Sequence, residues 1–265
     1  MKIYSLSLAI IFFLSFKVLA ADIDINKARN LVSNKKYFDA LKIVAPCLKS
    51  SSIKSIVNLE ECLYLGESIA EDAIRDLNKG FQKAFDKGAS FPSWEGLLPY
   101  NALGLKLGYD TPGANIVYEN DFFKQLQAVL PNSKYREEVE YTLLDRNASV
   151  NNWEKWNSEL EHYIKKNPSG TFTLRAKLAL AYNYHDLWNL MHPGHDWSFL
   201  VVTFQKDAKL ANTYKVKALK LYKGILLTSD KSSLKDYELA DIKERIDSLE
   251  KNKASGCVHI LRGYD

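Results

Sequence analysis

The chain has 265 residues, and its 36 lysines and arginines against 32 aspartates and glutamates give a formal net charge of +4. This near-balance argues against a nucleic-acid-binding protein, which needs a concentrated basic face. Seven prolines and twelve glycines are few for this length, and such a composition favours helices.

The first twenty residues have the three parts of a secretory signal peptide. Lys2 supplies a positive charge, residues 6–16 form an apolar run broken only by two serines, and Val18-Leu19-Ala20 precedes the expected cleavage site. The alternative is an uncleaved anchor, but the run is too short to span a bilayer comfortably. We expect cleavage after Ala20 or Ala21, a periplasmic or secreted protein, and no membrane span in the mature chain.

Three cysteines remain after the signal peptide. Export permits disulfides, and Cys47 and Cys62 are the pair close enough in sequence to close a compact loop. A bridge over such a ~15-residue loop contributes about 3 kcal/mol in the chain-entropy account. The alternative is two buried thiols on apolar helix faces. Cys257 lies in the tail, where it is either free or paired outside this chain.

The N-terminal part of the mature chain predicts helices separated by an irregular stretch. Apolar residues at spacings of three and four predict a helical hairpin over residues 25–33 and 36–44, then a long helix over 53–87 with a possible break at 78–80. Prolines and glycines punctuate residues 90–113, where we expect two short helical pieces. We place the boundary between two halves near residues 110–117.

The remainder of the chain repeats one pattern three times: a helix, a short polar turn and a second helix. The helices are predicted at 118–130 and 136–145, at 153–166 and from the following turn to about 190, and at 211–227 and from the following turn to about 250. Each turn contains a serine or threonine that can cap the incoming helix.

This pattern resembles the divergent tetratricopeptide-like (TPR-like) repeats of bacterial cell-envelope proteins. The matching residues are Phe122-Phe123 with Pro131-Asn132-Ser133; Trp153 and Tyr163 with Asn167-Pro168-Ser169; Ala218, Tyr222, Ile225-Leu226 and Ala240; and, in the first hairpin, Ala28, Leu31, Tyr37 and Ala40. The resemblance implies an all-α fold of stacked helical hairpins, either a TPR-like α-solenoid or an irregular helical bundle. It also implies a surface that binds a protein or peptide.

The most unusual segment is 185–197, which contains three of the five histidines. His192-Pro193-Gly194-His195 predicts a tight turn, and His192, His195 and Asp196 are side chains that can bind zinc. The spacing matches no established metal motif, so the alternative is that these residues hydrogen-bond within a loop. We expect no cofactor, and zinc at this turn is the less favoured alternative.

Other candidate residues have two readings each. Trp153, Trp156, Trp188 and Trp197 either mark a partner-binding surface or fill the space between helices. The carboxylate pairs Glu60-Glu61 and Glu137-Glu138 are expected to be solvated charges on helix surfaces.

These observations predict four segments: a signal peptide at 1–20, an N-terminal helical region at 21–112, TPR-like hairpins at 113–252 and a tail at 253–265. The expected role is an exported interaction or scaffolding module of the cell envelope. Two alternatives stay open, a periplasmic immunity or inhibitor protein and a metal-dependent hydrolase that uses the histidine-rich turn. An enzyme is the less favoured class, because no nucleophile motif is present.

Overall fold

The computed structural model describes residues 23–48, 58–88, 94–110, 115–146, 153–195, 204–228 and 231–254. The predicted signal peptide, Asp196, Trp197 and Cys257 lie outside these residues. Within them the chain is mostly helical, so the predicted all-α class is confirmed at that level. The helices are α1 Ile25–Ser33, α2 Tyr37–Val44, α3 Leu59–Phe85, α4 Leu98–Ala102, α5 Asp121–Val129, α6 Arg136–Arg146, α7 Trp153–Lys166, α8 Thr173–Met191, α9 Ala208–Leu227 and α10 Asp236–Glu250.

The first hairpin, α1 and α2, has the predicted boundaries to within one residue. The Asp24 carboxylate accepts the Lys27 N–H at 2.8 Å and caps α1. Lys35 has a φ of 57° at the turn, and α2 gives way at Ala45–Leu48 to a short 3₁₀ turn that contains Pro46.

Helix α3 is continuous through residues 78–80, where the sequence allowed a break. The Asn78 side chain donates to the Ile116 carbonyl and accepts the Ile116 N–H, both at 2.8 Å. This pair of hydrogen bonds attaches α3 to the strand that contains Ile116. Gly88, with a φ of +82°, follows the last turn of α3 as predicted.

A small antiparallel hairpin occupies the predicted boundary between the halves, and the sequence did not reveal it. Strand β1, Leu107–Asp110, pairs with β2, Asn115–Tyr118, with Leu107 opposite Tyr118. Ile116 and Tyr118 are buried whereas Asn115 and Val117 are exposed, which is the period of a strand. The predicted helix at 118–130 therefore begins only at Asp121.

Two clusters of buried hydrophobic side chains form the core. One is built from α1, α2, α3, α5 and the hairpin, and the other from α7, α8, α9 and α10. Helix α6 contributes to both, since Val139 and Leu143 pack on the first cluster while Tyr141 and Leu144 pack on the second. The clusters thus meet at α6 and not at residue 112, and the division into domains stays a prediction.

Helix α8 lies at the centre of the second cluster. It packs between α7 and α9, and every residue from Leu180 to Met191 is buried. Polar side chains are among them: Asn183 donates to Asn157 Oδ1 of α7 at 2.9 Å. Arg245 of α10 reaches the same core, where it pairs with Asp241 at 2.8 Å. No helix of the described residues is both long and apolar enough to cross a bilayer.

Cys47 and Cys62 lie at disulfide distance, with their sulfur atoms 1.98 Å apart. The bond joins the 3₁₀ turn after α2 to the first turn of α3, and both side chains are fully buried. It closes the loop of residues between the first hairpin and α3.

Breaking this bond is expected to lower the free energy of unfolding by about 3 kcal/mol, because a ~15-residue loop regains its freedom in the unfolded chain. Urea denaturation of the mature protein with and without reductant measures the effect. Cys47→Ser is expected to abolish the response to reductant, whereas Cys257→Ser is expected to keep it. Equal stability of the unaltered protein in both buffers would contradict the bond.

Candidate functional site

A groove of about 410 Å³ runs along the surface formed by α7, α8 and α9. Each helix contributes one face, because the lining residues follow one another at helical spacings of three and four. They are Glu161, Ile164 and Lys165 of α7; Lys177, Leu180 and Tyr184 of α8; and Lys217, Lys220, Leu221 and Gly224 of α9.

The floor of the groove is apolar. Leu180 is buried, and Ile164 and Leu221 are half-buried beside it. Gly224 leaves open space, since a Cβ atom added there would have no neighbour within 4 Å. The groove can therefore take up apolar side chains of another molecule.

Four lysines surround this floor. Only Lys217 pairs with a carboxylate, that of Glu161 at 3.6 Å. Lys165, Lys177 and Lys220 form no ion pair within the described part of the chain. A single glutamate faces four lysines, so the groove carries a local excess of positive charge although the whole chain is nearly neutral.

Tyr184 marks the end of the groove where Glu161 and Lys217 meet. Its hydroxyl hydrogen-bonds to the Glu161 carboxylate, while Lys217 Nζ lies 3.3 Å from the hydroxyl oxygen and 4.7 Å from the ring centroid. Burial, followed by the Glu161 hydrogen bond, raises the pKa of Tyr184. The phenol therefore stays neutral at physiological pH and acts as a hydrogen-bonding group.

The groove is not among the sites that the sequence predicted. The only signal was the spacing of Lys217, Lys220, Leu221 and Gly224, which places these four residues on one face of α9. Nothing in the sequence says that the matching faces of α7 and α8 lie beside it.

The histidine-rich turn brings His192 and His195 together, with ring centroids 4.3 Å apart. His192 Nδ1 accepts the Gly194 N–H at 3.1 Å, and His195 packs edge-on against Trp188 at 4.7 Å. Burial, with a contribution from His192, lowers the pKa of His195. No group of three metal-binding side chains occurs within the described residues, which do not include Asp196. The zinc site stays a prediction.

The tryptophans divide between the two readings that the sequence left open. Trp156 and Trp188 are 3% and 1% exposed and belong to the second core cluster, and their role in binding a partner stays a prediction. Their apolar rings fill the space between helices. Tryptophans on a surface could have the same spacing in the sequence, so the spacing does not separate the two readings. Trp153 is half-buried against Tyr214. Trp197 lies outside the described residues.

Glu60 and Glu61 are partly exposed charges that also make hydrogen bonds, which the sequence did not predict. Glu60 accepts the Lys134 backbone N–H at 2.9 Å, and Glu61 accepts the Tyr135 hydroxyl at 2.9 Å. Both carboxylates thus connect the start of α3 to the turn before α6. Glu138 makes the reciprocal contact, because it accepts the hydroxyl of Tyr64 on α3 at 2.9 Å.

Glu137 is likewise engaged and reaches from α6 to the turn before α8. Its Oε1 atom accepts the Phe172 N–H at 3.0 Å and the Tyr163 hydroxyl at 3.2 Å. Phe172 directly precedes α8, so the carboxylate caps this helix in place of the predicted serine or threonine. Gly170 makes room for it, since a Cβ atom there would collide with the carboxylate.

Glu67 on α3 caps α5 in the same manner but is more deeply buried. The side chain is 2% exposed, and its carboxylate accepts the Phe123 N–H at 3.0 Å, the Asn120 amide at 2.5 Å and the Tyr118 hydroxyl at 3.2 Å. Burial raises the pKa of Glu67 to about 7, and the hydrogen bonds only partly offset this effect.

We compared this chain with protein-family models, with curated proteins and with solved structures, and none of them matched. The geometry of the described residues and the sequence pattern therefore carry the functional argument.

Glu67 is expected to make the protein less stable as the pH rises from about 4.5 to about 7. The native carboxyl keeps its proton after the unfolded chain has lost it, so the free energy of unfolding falls between these two pH values and levels off once the native carboxyl has ionised. Glutamine cannot ionise, so we expect the free energy of unfolding of Glu67→Gln to fall by roughly 2–3 kcal/mol less over this pH range than that of the unaltered protein. Urea denaturation at pH 4.5, 6 and 8 measures it. Glu244→Gln, on the exposed side of α10, serves as the control, and parallel curves for all three proteins would contradict the assignment.

Gly170→Ala is expected to cost about 1 kcal/mol, because it displaces the Glu137 carboxylate from the Phe172 N–H. The same substitution is expected to be nearly neutral in a Glu137→Ala background, where the carboxylate is already absent. A double-mutant cycle by thermal denaturation measures the coupling. Strict additivity of the two changes would show that Gly170 and Glu137 do not depend on each other.

Proposed function

We propose that this chain is an exported interaction module of the cell envelope, which binds a segment of a partner protein on its stacked helical hairpins. The observation that carries the proposal is the groove on α7, α8 and α9, where an apolar floor is surrounded by lysines. Such a surface offers apolar area that a partner can bury and charges that a partner can recognise. Protein-binding sites commonly combine these two features.

The packing order of the helices supports a solenoid-like arrangement. Neighbouring helices of each predicted unit contact one another, α5 with α6, α7 with α8 and α9 with α10, and the units are joined by contacts of α6 with α7 and α8 with α9. Hairpins that stack in chain order bury their apolar faces on each other and leave an extended surface. The TPR-like resemblance implies the same use of that surface.

Export is supported by the sequence of residues 1–20 and by the Cys47–Cys62 pair at disulfide distance. Disulfides persist in the oxidising compartments outside the cytoplasm. We therefore place the partner in the periplasm or at the cell surface, where the mature chain would meet it.

Site-specific photo-cross-linking in the producing cells tests the proposal. A photoreactive amino acid at Leu221 in the groove is expected to yield a discrete adduct with one envelope protein, and the same probe at the exposed Tyr237 of α10 is expected to yield none. Adducts of equal intensity at both positions, or none at Leu221, would contradict a binding role for the groove.

Fractionation of the same cells tests export, since an unprocessed cytosolic chain would contradict it.

A further inference from the structure

We infer that the occupant of the groove is an acidic segment of a partner protein, whose apolar side chains contact Leu180 and Leu221 while its carboxylates meet the lysines. This inference rests on the proposed function and adds the chemistry of the ligand. Its two components, charge and apolar contact, come from different side chains and can be tested separately.

The positive charge that the groove offers to a ligand depends on which lysines are already paired with a carboxylate. Lys217 is paired with Glu161, whereas Lys165, Lys177 and Lys220 have no carboxylate partner within the described residues. These three ammonium groups come from three different helices, and they surround one apolar floor. Opposite charge on the ligand relieves their mutual repulsion, and because Lys165 and Lys220 are exposed, this attraction is expected to weaken as the salt concentration rises.

The apolar floor distinguishes a peptide from other anionic ligands. A phosphate group would leave Ile164, Leu180 and Leu221 without a complementary surface. A lipid headgroup layer is flat and meets protruding side chains, whereas this site is concave. A peptide that carries both carboxylates and aliphatic side chains matches both components.

Glu161 sets a limit on where the ligand's carboxylates can lie. Among the described residues it is the only acidic side chain that lines the groove, and it already accepts the Tyr184 hydroxyl. Like charges repel, so the carboxylates of the ligand belong at the Lys165, Lys177 and Lys220 end. We expect Glu161→Gln to tighten binding of an acidic peptide about threefold by removing this repulsion.

Fluorescence anisotropy of the mature protein with a labelled peptide in which leucines alternate with glutamates tests the charge component. The Lys177→Glu/Lys220→Glu variant is expected to bind at least about tenfold more weakly. Lys209→Glu/Lys243→Glu, two exposed lysines outside the groove, changes the net charge equally and is expected to bind normally. Equal weakening by both pairs would overturn the inference, because it would show non-specific attraction.

Gly224→Leu tests the apolar component without risk to the fold. Leucine favours a helix interior more than glycine does, so this variant is expected to be at least as stable as the parent while its side chain fills the groove. We expect peptide affinity to fall at least about fivefold. Gly80→Leu makes the same change at an open position of α3 and is expected to leave affinity unchanged. Normal peptide binding by Gly224→Leu would show that the peptide does not bind in the groove.

Three further outcomes bear on this inference, and the first separates it from the proposed function. If the Leu221 probe captures an envelope protein but the acidic peptide does not bind, the groove is a docking site and the inferred ligand chemistry is wrong. Binding to vesicles of phosphatidylglycerol, together with no binding of the peptide, would also overturn it in favour of a membrane surface. Binding of the acidic peptide, but not of a leucine–lysine peptide, supports it.

Discussion

The backbone N–H groups at the start of a helix have no partner within that helix, and this constraint organises the molecule. At two helices, glutamates from other hairpins supply the missing acceptors. Glu67 of α3 does so for α5, and Glu137 of α6 does so for α8. Each contact joins residues far apart in sequence, so it fixes one hairpin against another in addition to ending a helix. At Glu67 the helix dipole, which favours a negative charge at the start of a helix, is outweighed by burial of the carboxyl group.

The same contacts position the candidate site. Because Glu137 fixes the turn between α7 and α8, it determines where the faces of these two helices meet. Helix α8 is then enclosed by α7 and α9, and only Lys177, Leu180 and Tyr184 of its residues line the groove. The surface thus rests on a buried helix with little freedom to move, which reduces the entropy lost when a ligand binds.

The sequence allowed the helices to be predicted well because apolar residues at a spacing of three and four report a helix directly. The bounds of α7 were anticipated in this way, whereas the pairing of Cys47 with Cys62 was anticipated from export and from their closeness in sequence. Strands β1 and β2 have four residues each, too few for alternation to be recognised. The glutamate contacts and the groove depend on residues up to 74 positions apart, and local patterns carry no information about such distances.

Helix α6 packs on both hydrophobic clusters, with Val139 on one side and Leu144 on the other. Neither half of the chain can therefore complete its interior while it is separated from this helix. A fragment produced by a nick on either side of α6 would expose apolar surface that is covered in the intact protein. Proteolytic fragments of this chain would accordingly aggregate or be degraded, and the protein would persist only as an undivided unit.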